Sequence, residues 1–317
     1  MTDLLLRQNI SDFINYKRAI GYVYKSQHRL LIRYAEYAET YTNTPGYPVK
    51  DITNAYLSTL SESAGTMFTT TAVLREFTRF LHARGCIEAY MIPPKIIKQP
   101  VPEAPYFFTQ KEIDGFFGAL DLIAPHKSLP GREFVFPALF RLLYCCGLRC
   151  KEVRTLECAN VHLDELYLDI MQSKGPKSRR IFITQELADY LTEYESNIMV
   201  LFPSRKFFFP HGESCYSSVS ISVNFRRFWK KAFPDFVMTE RPRAYDFRHH
   251  FAWTNLNKWA VEGLDVNAMI PYLMRYMGHQ SVKETLYYFR FVPEFFHTYK
   301  SMSESLEELL PEVPDEE

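Results

Sequence analysis

Apolar residues recur along the first ninety positions with the period of a helix. In "NISDFINYKRAIGY" Ile10, Phe13 and Ile14 fall on one helical face. In "TTTAVLREFTRFLHARG" Val73, Leu74, Phe77, Phe80 and Leu81 follow the i, i+1, i+4, i+7, i+8 spacing of an amphipathic helix. Gly85 stands where a C-terminal cap belongs, and Arg75, Arg79 and Arg84 occupy the opposite face. The pattern then stops. Pro93, Pro94, Pro100, Pro102 and Pro105 in "MIPPKIIKQPVPEAPYFFTQKEI" forbid a continuing helix. The sequence therefore predicts a helical domain over 1–104, with a Pro-rich linker from about residue 93, and a second domain over 105–317. Thr109 and Glu112 have capping-box spacing and predict a new helix start.

Residues 133–158 read as helical. The period then changes to two in "ELYLDIMQSKGPKSRRIFIT", predicting two short strands around the turn "SKGPKS". From about residue 186 the helical period returns. In "VNFRRFWKKAF" Phe225, Phe228, Trp229 and Phe233 face one way, and Arg226, Arg227, Lys230 and Lys231 the other. The expected class is mainly α with a small β-sheet in the second domain. Between Pro293 and Pro311 the residues Phe295, Phe296, Tyr299, Met302, Leu306, Leu309 and Leu310 recur at helical spacing, which predicts a terminal helix with one apolar face.

Composition narrows the classes. The 317 residues are 47% hydrophobic and 16% aromatic, enough for a packed core and unlike a disordered chain. No apolar run approaches the length of a membrane helix, and "MTDLLLRQNISDF" meets Asp3 and Arg7 too early for a secretory signal. The six cysteines lack the spacing of a disulfide scaffold, so reduced thiols in a cytoplasm are expected. Cys145, Cys146, Cys150 and Cys158 with His162 do not form a Cys-x-x-Cys site; the first three are expected in one apolar helix as buried thiols, with no metal.

Net charge is zero, which argues against a nucleic-acid partner until its distribution is considered. Residues 301–317 carry seven acids and no base, so residues 1–300 hold 37 bases against 30 acids, a net of +7. A basic body with an acidic tail fits a DNA binder among other proteins. Arg75, Arg79, Arg226, Arg227, Lys230 and Lys231 are the candidate DNA contacts.

Five local patterns follow one another. They are "CCGLRCKEV" with Arg149 and Glu152, the turn "SKGPKSRR" with Lys174, "AYDFRHHFA" with Tyr245, Arg248 and His249, "MGHQS" with His279, and "TLYYF" with Tyr287 and Tyr288. These residue types suit attack on a phosphodiester. Two arginine forks bind phosphate oxygens bidentately and keep their charge. Fixed cations stabilise the extra charge of a phosphorane. A lysine can protonate the leaving oxygen, and a positioned tyrosine is a competent covalent nucleophile.

In that order the patterns resemble the tyrosine recombinase (phage integrase) family, over most of the chain. The resemblance implies a two-domain, C-shaped DNA clamp, with a helical core-binding domain followed by a catalytic domain. It implies a site-specific recombinase or integrase of a mobile element that cuts and rejoins double-stranded DNA without ATP or cofactor. It also implies a homotetramer on DNA, and leaves accessory DNA-bending proteins open as further partners. Arg149, Lys174, Arg248, His279 and Tyr288 match the catalytic positions. Tyr288 is preferred to Tyr287 because it lies nine positions after His279, and Lys174 to Lys177 because it directly precedes the turn glycine. Glu152 and His249 take supporting positions. Tyr245 departs from the family, which has His there; a phenol with a pKa of about 10 is a poor base at neutral pH. Two other readings share these residues: a DNA-binding relative with a decayed site, and a type IB topoisomerase. The terminal helix either folds back on its own domain or, as the resemblance implies, docks on a neighbouring protomer.

Overall fold

The computed structural model of the protein describes residues 2–42, 44–60, 64–94, 104–171, 178–236, 241–279 and 281–288. The linker beyond residue 94, the turn with Lys174 and Lys177, and the acidic end at 301–317 lie outside the described residues. The chain divides into two compact units, Met1–Glu103 and Ala104–Glu317. The described residues are mostly helical with small sheets.

The first unit packs α1 (Thr2–Ala19), α2 (Lys25–Ala38), α3 (Lys50–Thr59) and α4 (Ala64–Ala83). Ile10, Phe13, Ile14, Val73, Leu74, Phe77 and Leu81 are all buried in one cluster, as their spacing predicts, and Phe80 lies half-buried against it. Gly85 adopts φ +88°, and its N–H donates to the His82 carbonyl at 3.0 Å, closing α4. Arg79 is exposed. Arg75 instead turns along the unit: its Nε donates to the Ile92 carbonyl at 3.0 Å and its Nη2 to the Pro93 carbonyl.

The second unit opens with α5 (Gln110–Asp121). Its capping box is formed: Thr109 Oγ1 accepts the Glu112 N–H, and Glu112 Oε2 accepts the Thr109 N–H at 2.8 Å. Then come α6 (Arg132–Cys146), α7 (Cys150–Arg154) and the antiparallel sheet β1 (Val161–His162), β2 (Tyr167–Ile170) and β3 (Arg179–Phe182). In β2 and β3 the period-two pattern pairs Leu168 with Ile181, both fully buried. The chain continues through α8 (Gln185–Leu201), a short hairpin of β4 (Pro210–His211) and β5 (Ser214–Cys215), α9 (Ser218–Ala232), α10 (Asp246–Val261), α11 (Val266–Met277) and α12 (Val282–Leu286). Phe116, Phe140, Phe225 and Phe247 interlock α5, α6, α9 and α10, with ring centroids 5.0–5.9 Å apart. Each such ring contributes about 1.5–3 kcal/mol of burial. On α9 this leaves Arg226, Arg227, Lys230 and Lys231 exposed, with Lys231 Nζ 3.2 Å from the Leu122 carbonyl.

One expectation fails here. Residues 133–158 are not one helix, and Cys145, Cys146 and Cys150 do not share one. α6 ends at Gly147, and Cys150 opens α7. Gly147 has φ +57°, and a Cβ there would lie 2.5 Å from Phe251 Cδ1, so the chain turns where only glycine fits. The six thiols are free; Cys146 is buried, and burial pushes it up to about 12, but Cys145 is exposed and Cys150 and Cys158 are half-buried, so the expectation of buried thiols holds for Cys146 alone. Among the described residues no helix is long and apolar enough to cross a membrane.

Candidate active site

The break at Gly147 creates the first part of the site. It makes Arg149 the N-cap of α7 and places Glu152 at the third helical position. Glu152 then accepts the Arg149 backbone N–H at 3.0 Å and Arg149 Nη1 at 2.9 Å. The Arg-x-x-Glu spacing is thus a local helix-start geometry. Glu152 also receives Arg179 Nη1 and Nη2 at 3.0 and 2.9 Å. Burial alone would raise this carboxyl, but the hydrogen bonds and charge of Arg179, then the backbone and side-chain hydrogen bonds of Arg149, outweigh it and hold it at about 2. Arg179 was not singled out in the sequence, although it opens the strand after the predicted turn.

Arg248 lies on α10 and is 1% exposed. Its Nη1 donates to the Gly147 carbonyl at 2.8 Å and its Nη2 to the Met277 carbonyl at 2.7 Å. One guanidinium therefore bridges the ends of α6 and α11. Burial, then the charge of Arg149, lower its pKa, but an arginine stays cationic. The α10 start is held by Asp246, which accepts the Arg243 backbone N–H at 2.8 Å and its Nη2 at 2.9 Å.

α11 closes on Gly278, φ +67°, whose carbonyl accepts Arg149 Nη2 at 3.0 Å. The next residue, His279, pairs its Nδ1 with Thr285 Oγ1 at 2.7 Å, which leaves Nε2 to serve the pocket. Burial, then Arg248, Arg149 and Arg179, push His279 down to about 3, so its imidazole is neutral. Thr285 is fully buried, and this bond accounts for its position six residues after the histidine.

Tyr288 is 3% exposed. Its ring stacks on His279 at 6.1 Å and 16°, and lies 5.5 Å from His249. Burial raises its pKa well above that of a free phenol, and Arg248 opposes the shift. Tyr287 is half-buried, its ring perpendicular to Tyr288 at 5.5 Å. Tyr245, 43% exposed, stands at the α10 start with its ring 4.9 Å from His249. Among the described residues the buried His249 Nδ1 has no hydrogen-bond partner, and burial lowers the pKa of the ring to about 4. Arg149, Tyr245, Arg248, His249, His279 and Tyr288 line one pocket of about 430 Å³, with Lys283 and Tyr287 also on its wall. Lys174 lies outside the described residues. Arg75, Arg79 and the four bases of α9 do not line this pocket.

The neutral histidines make stability sensitive to acid. Burial lowers His249 and His250 to about 4 and His279 to about 3, against 6.5 in an unfolded chain. Above pH 6.5 neither state binds the protons. Below it the unfolded chain takes them up first, so stability falls as pH drops from 6.5 toward 4. The calorimetric Tm of the second unit is expected to be several degrees lower at pH 5 than at pH 7.5. His250→Phe is expected to flatten that slope; equal Tm values at the two pH values in the unsubstituted chain would contradict this account.

Residues 107–293 match the family model described as the phage integrase family. The Sinorhizobium fredii (strain NBRC 101917 / NGR234) protein y4rE, provisionally named an integrase/recombinase, is 26% identical over 299 residues, 89% of this chain and 91% of its own. Tyrosine recombinase XerC of Lactobacillus leichmannii is 26% identical over 223 residues, 68% of each chain. Among solved structures, the XerH site-specific recombinase in a post-cleavage complex with palindromic difH substrate aligns with a TM-score of 0.63 at 18% identity, covering 87% of this chain and 78% of that one. At that identity the likeness is one of fold.

Proposed function

The chain belongs to the phage integrase family of site-specific tyrosine recombinases, and we propose that it serves a mobile element, cutting and rejoining double-stranded DNA through a 3′-phosphotyrosine on Tyr288. The observation that carries this reading is the single pocket holding Arg149, Arg248, His279 and Tyr288. In the proposed step Tyr288 Oη bonds to phosphorus and the bond to the 5′ oxygen breaks. The phenol proton passes to a neutral imidazole. With Tyr245 in place of the family's His, His249 and His279 are the imidazoles beside Tyr288. Lys174 gives the departing 5′ oxygen its proton. Arg149 and Arg248 bind the non-bridging oxygens and stabilise the phosphorane. The phosphotyrosine keeps the bond energy, so a new 5′ hydroxyl reverses the step without ATP.

In this reading the units 1–104 and 105–317 clamp the duplex. Arg79, Arg226, Arg227, Lys230 and Lys231 meet phosphates, and Arg75 adds only what its carbonyl bonds leave. Four cytoplasmic protomers act on two sites, with or without DNA-bending partners, and the acidic tail docks on a neighbour. The test selects DNA from a randomised duplex library with the wild-type chain. A nick is placed in the selected sequence, and covalent adduct is read on a denaturing gel. Adduct formation supports the reading; no selected sequence, or no adduct, overturns it.

Cleavage is expected to persist in EDTA, because Arg149, Arg248, Lys174 and His279 supply the cations and donors the phosphorane needs. A strict divalent-metal requirement for adduct formation would sink the mechanism. Tyr245→His is expected to keep or raise the cleavage rate, since it restores an imidazole at the pocket wall, whereas Tyr245→Phe lowers it by about tenfold if the hydroxyl bonds phosphate. Identical rates for all three forms would remove position 245 from the reaction.

A further inference from the structure

We propose that Arg179 is a positioning residue that keeps the charge of Arg149 available to DNA phosphate, an inference that rests on the proposed phosphodiester chemistry of the pocket. Arg149 and Glu152, 2.9 Å apart, would form a neutral pair on their own. A cation already matched by a carboxylate offers little net field to an incoming anion. Arg179 supplies the second cation. Its fork meets both Glu152 oxygens, so the triplet of Arg149, Glu152 and Arg179 carries a net charge of +1.

Arg179 does not take the phosphate itself. Its side chain is only 8% exposed, it does not line the pocket, and its Nε donates to the Tyr276 carbonyl at 2.7 Å. Arg149 does line the pocket, so the net charge is expressed there through Arg149. The neighbouring turn is shaped around this arrangement. A Cβ on Gly278 would lie 2.8 Å from Arg179 Nη1 and 3.0 Å from its Cζ, so the residue before His279 has no room for a side chain. Arg179 also pairs with Ile170 at the hairpin base, at the edge of the segment that carries Lys174. One guanidinium thus links the hairpin, the carboxylate that orients Arg149, and the turn that carries His279.

The experiment is single-turnover cleavage of the nicked duplex selected by the wild-type chain, on an ordinary phosphodiester and on a duplex with an uncharged methylphosphonate at the scissile position. R179M reduces the triplet's charge to zero and is expected to slow cleavage of the phosphodiester by about 10²-fold, with DNA affinity within about twofold. On the methylphosphonate, which has no phosphate charge to meet, its deficit is expected to shrink below about tenfold. R179M/E152Q restores a net +1 and leaves no buried carboxylate unpaired, so it remains informative if R179M does not fold. It is expected to cleave within about tenfold of wild type. Three results would each overturn the inference: R179M as fast as wild type, an equal deficit on both substrates, or a double variant slowed by a hundredfold or more. Absence of any adduct with the wild-type chain would instead overturn the proposed function.

Discussion

Tyr288→Phe is expected to abolish the covalent protein–DNA adduct, by more than about 10³-fold, while changing DNA affinity by less than about twofold. The substitution removes one oxygen and keeps the ring that stacks on His279 and lies against His249. Tyr287 is one position away, but its ring stands at 85° to Tyr288 and lies 6.1 Å from His249. Tyr287→Phe is therefore expected to retain cleavage. Adduct on a nicked duplex distinguishes the two, because the nick lets the 5′ end diffuse away and traps the intermediate. If Tyr287→Phe loses the adduct and Tyr288→Phe keeps it, the nucleophile is Tyr287 and the count from His279 is off by one.

The elements legible in the sequence were those whose cause is local. The capping box at Thr109 and Glu112, the cap at Gly85, and the buried faces of α1 and α4 depend on neighbours within a turn or two, and all formed as read. Arg149 and Glu152 were legible through the family resemblance, and the bond between them proves to be local, spanning three residues. The break at Gly147 is local as well, a left-handed cap at φ +57° of the kind read at Gly85, and it is obscured by the apolar run on both sides; Phe251, from α10, packs close enough to bar a Cβ there. Arg179 was missed because "RR" offers two equivalent arginines. Only the strand pairing turns Arg179 inward to Glu152 and leaves Arg180 outside on Asp169. Arg75 shows the converse. A polar helix face reads as solvated or DNA-facing, whereas its guanidinium closes onto carbonyls at Ile92 and Pro93.

Arg248→Lys isolates what the fork shape contributes, because the charge is kept. Arg248 is buried, and its two terminal nitrogens reach the Gly147 and Met277 carbonyls at once. Gly147 precedes Arg149 by two residues and Met277 precedes His279 by two, so this guanidinium sets the spacing of the two turns that bear the other pocket groups. A lysine has one nitrogen. It cannot bridge both carbonyls and also face a phosphate. At least one buried carbonyl is left without a donor, a cost of about 1–3 kcal/mol. For a unit of this size each kcal/mol lowers Tm by about 2–4 °C. The turns then lose their common anchor, and displacement of about 1 Å at a reacting centre costs about 10²-fold. In the proposed mechanism the lost bidentate contact to the phosphorane adds about 10²-fold more, so cleavage is expected to fall by about 10⁴-fold, about 5 kcal/mol of barrier. DNA affinity is expected to hold, since the exposed bases on the surface are untouched. Calorimetry and single-turnover cleavage on the same preparation check both parts. Arg248→Lys cleaving within about tenfold of wild type at an unchanged Tm would mean that charge alone suffices and that the bridge between the two turns does not position the site.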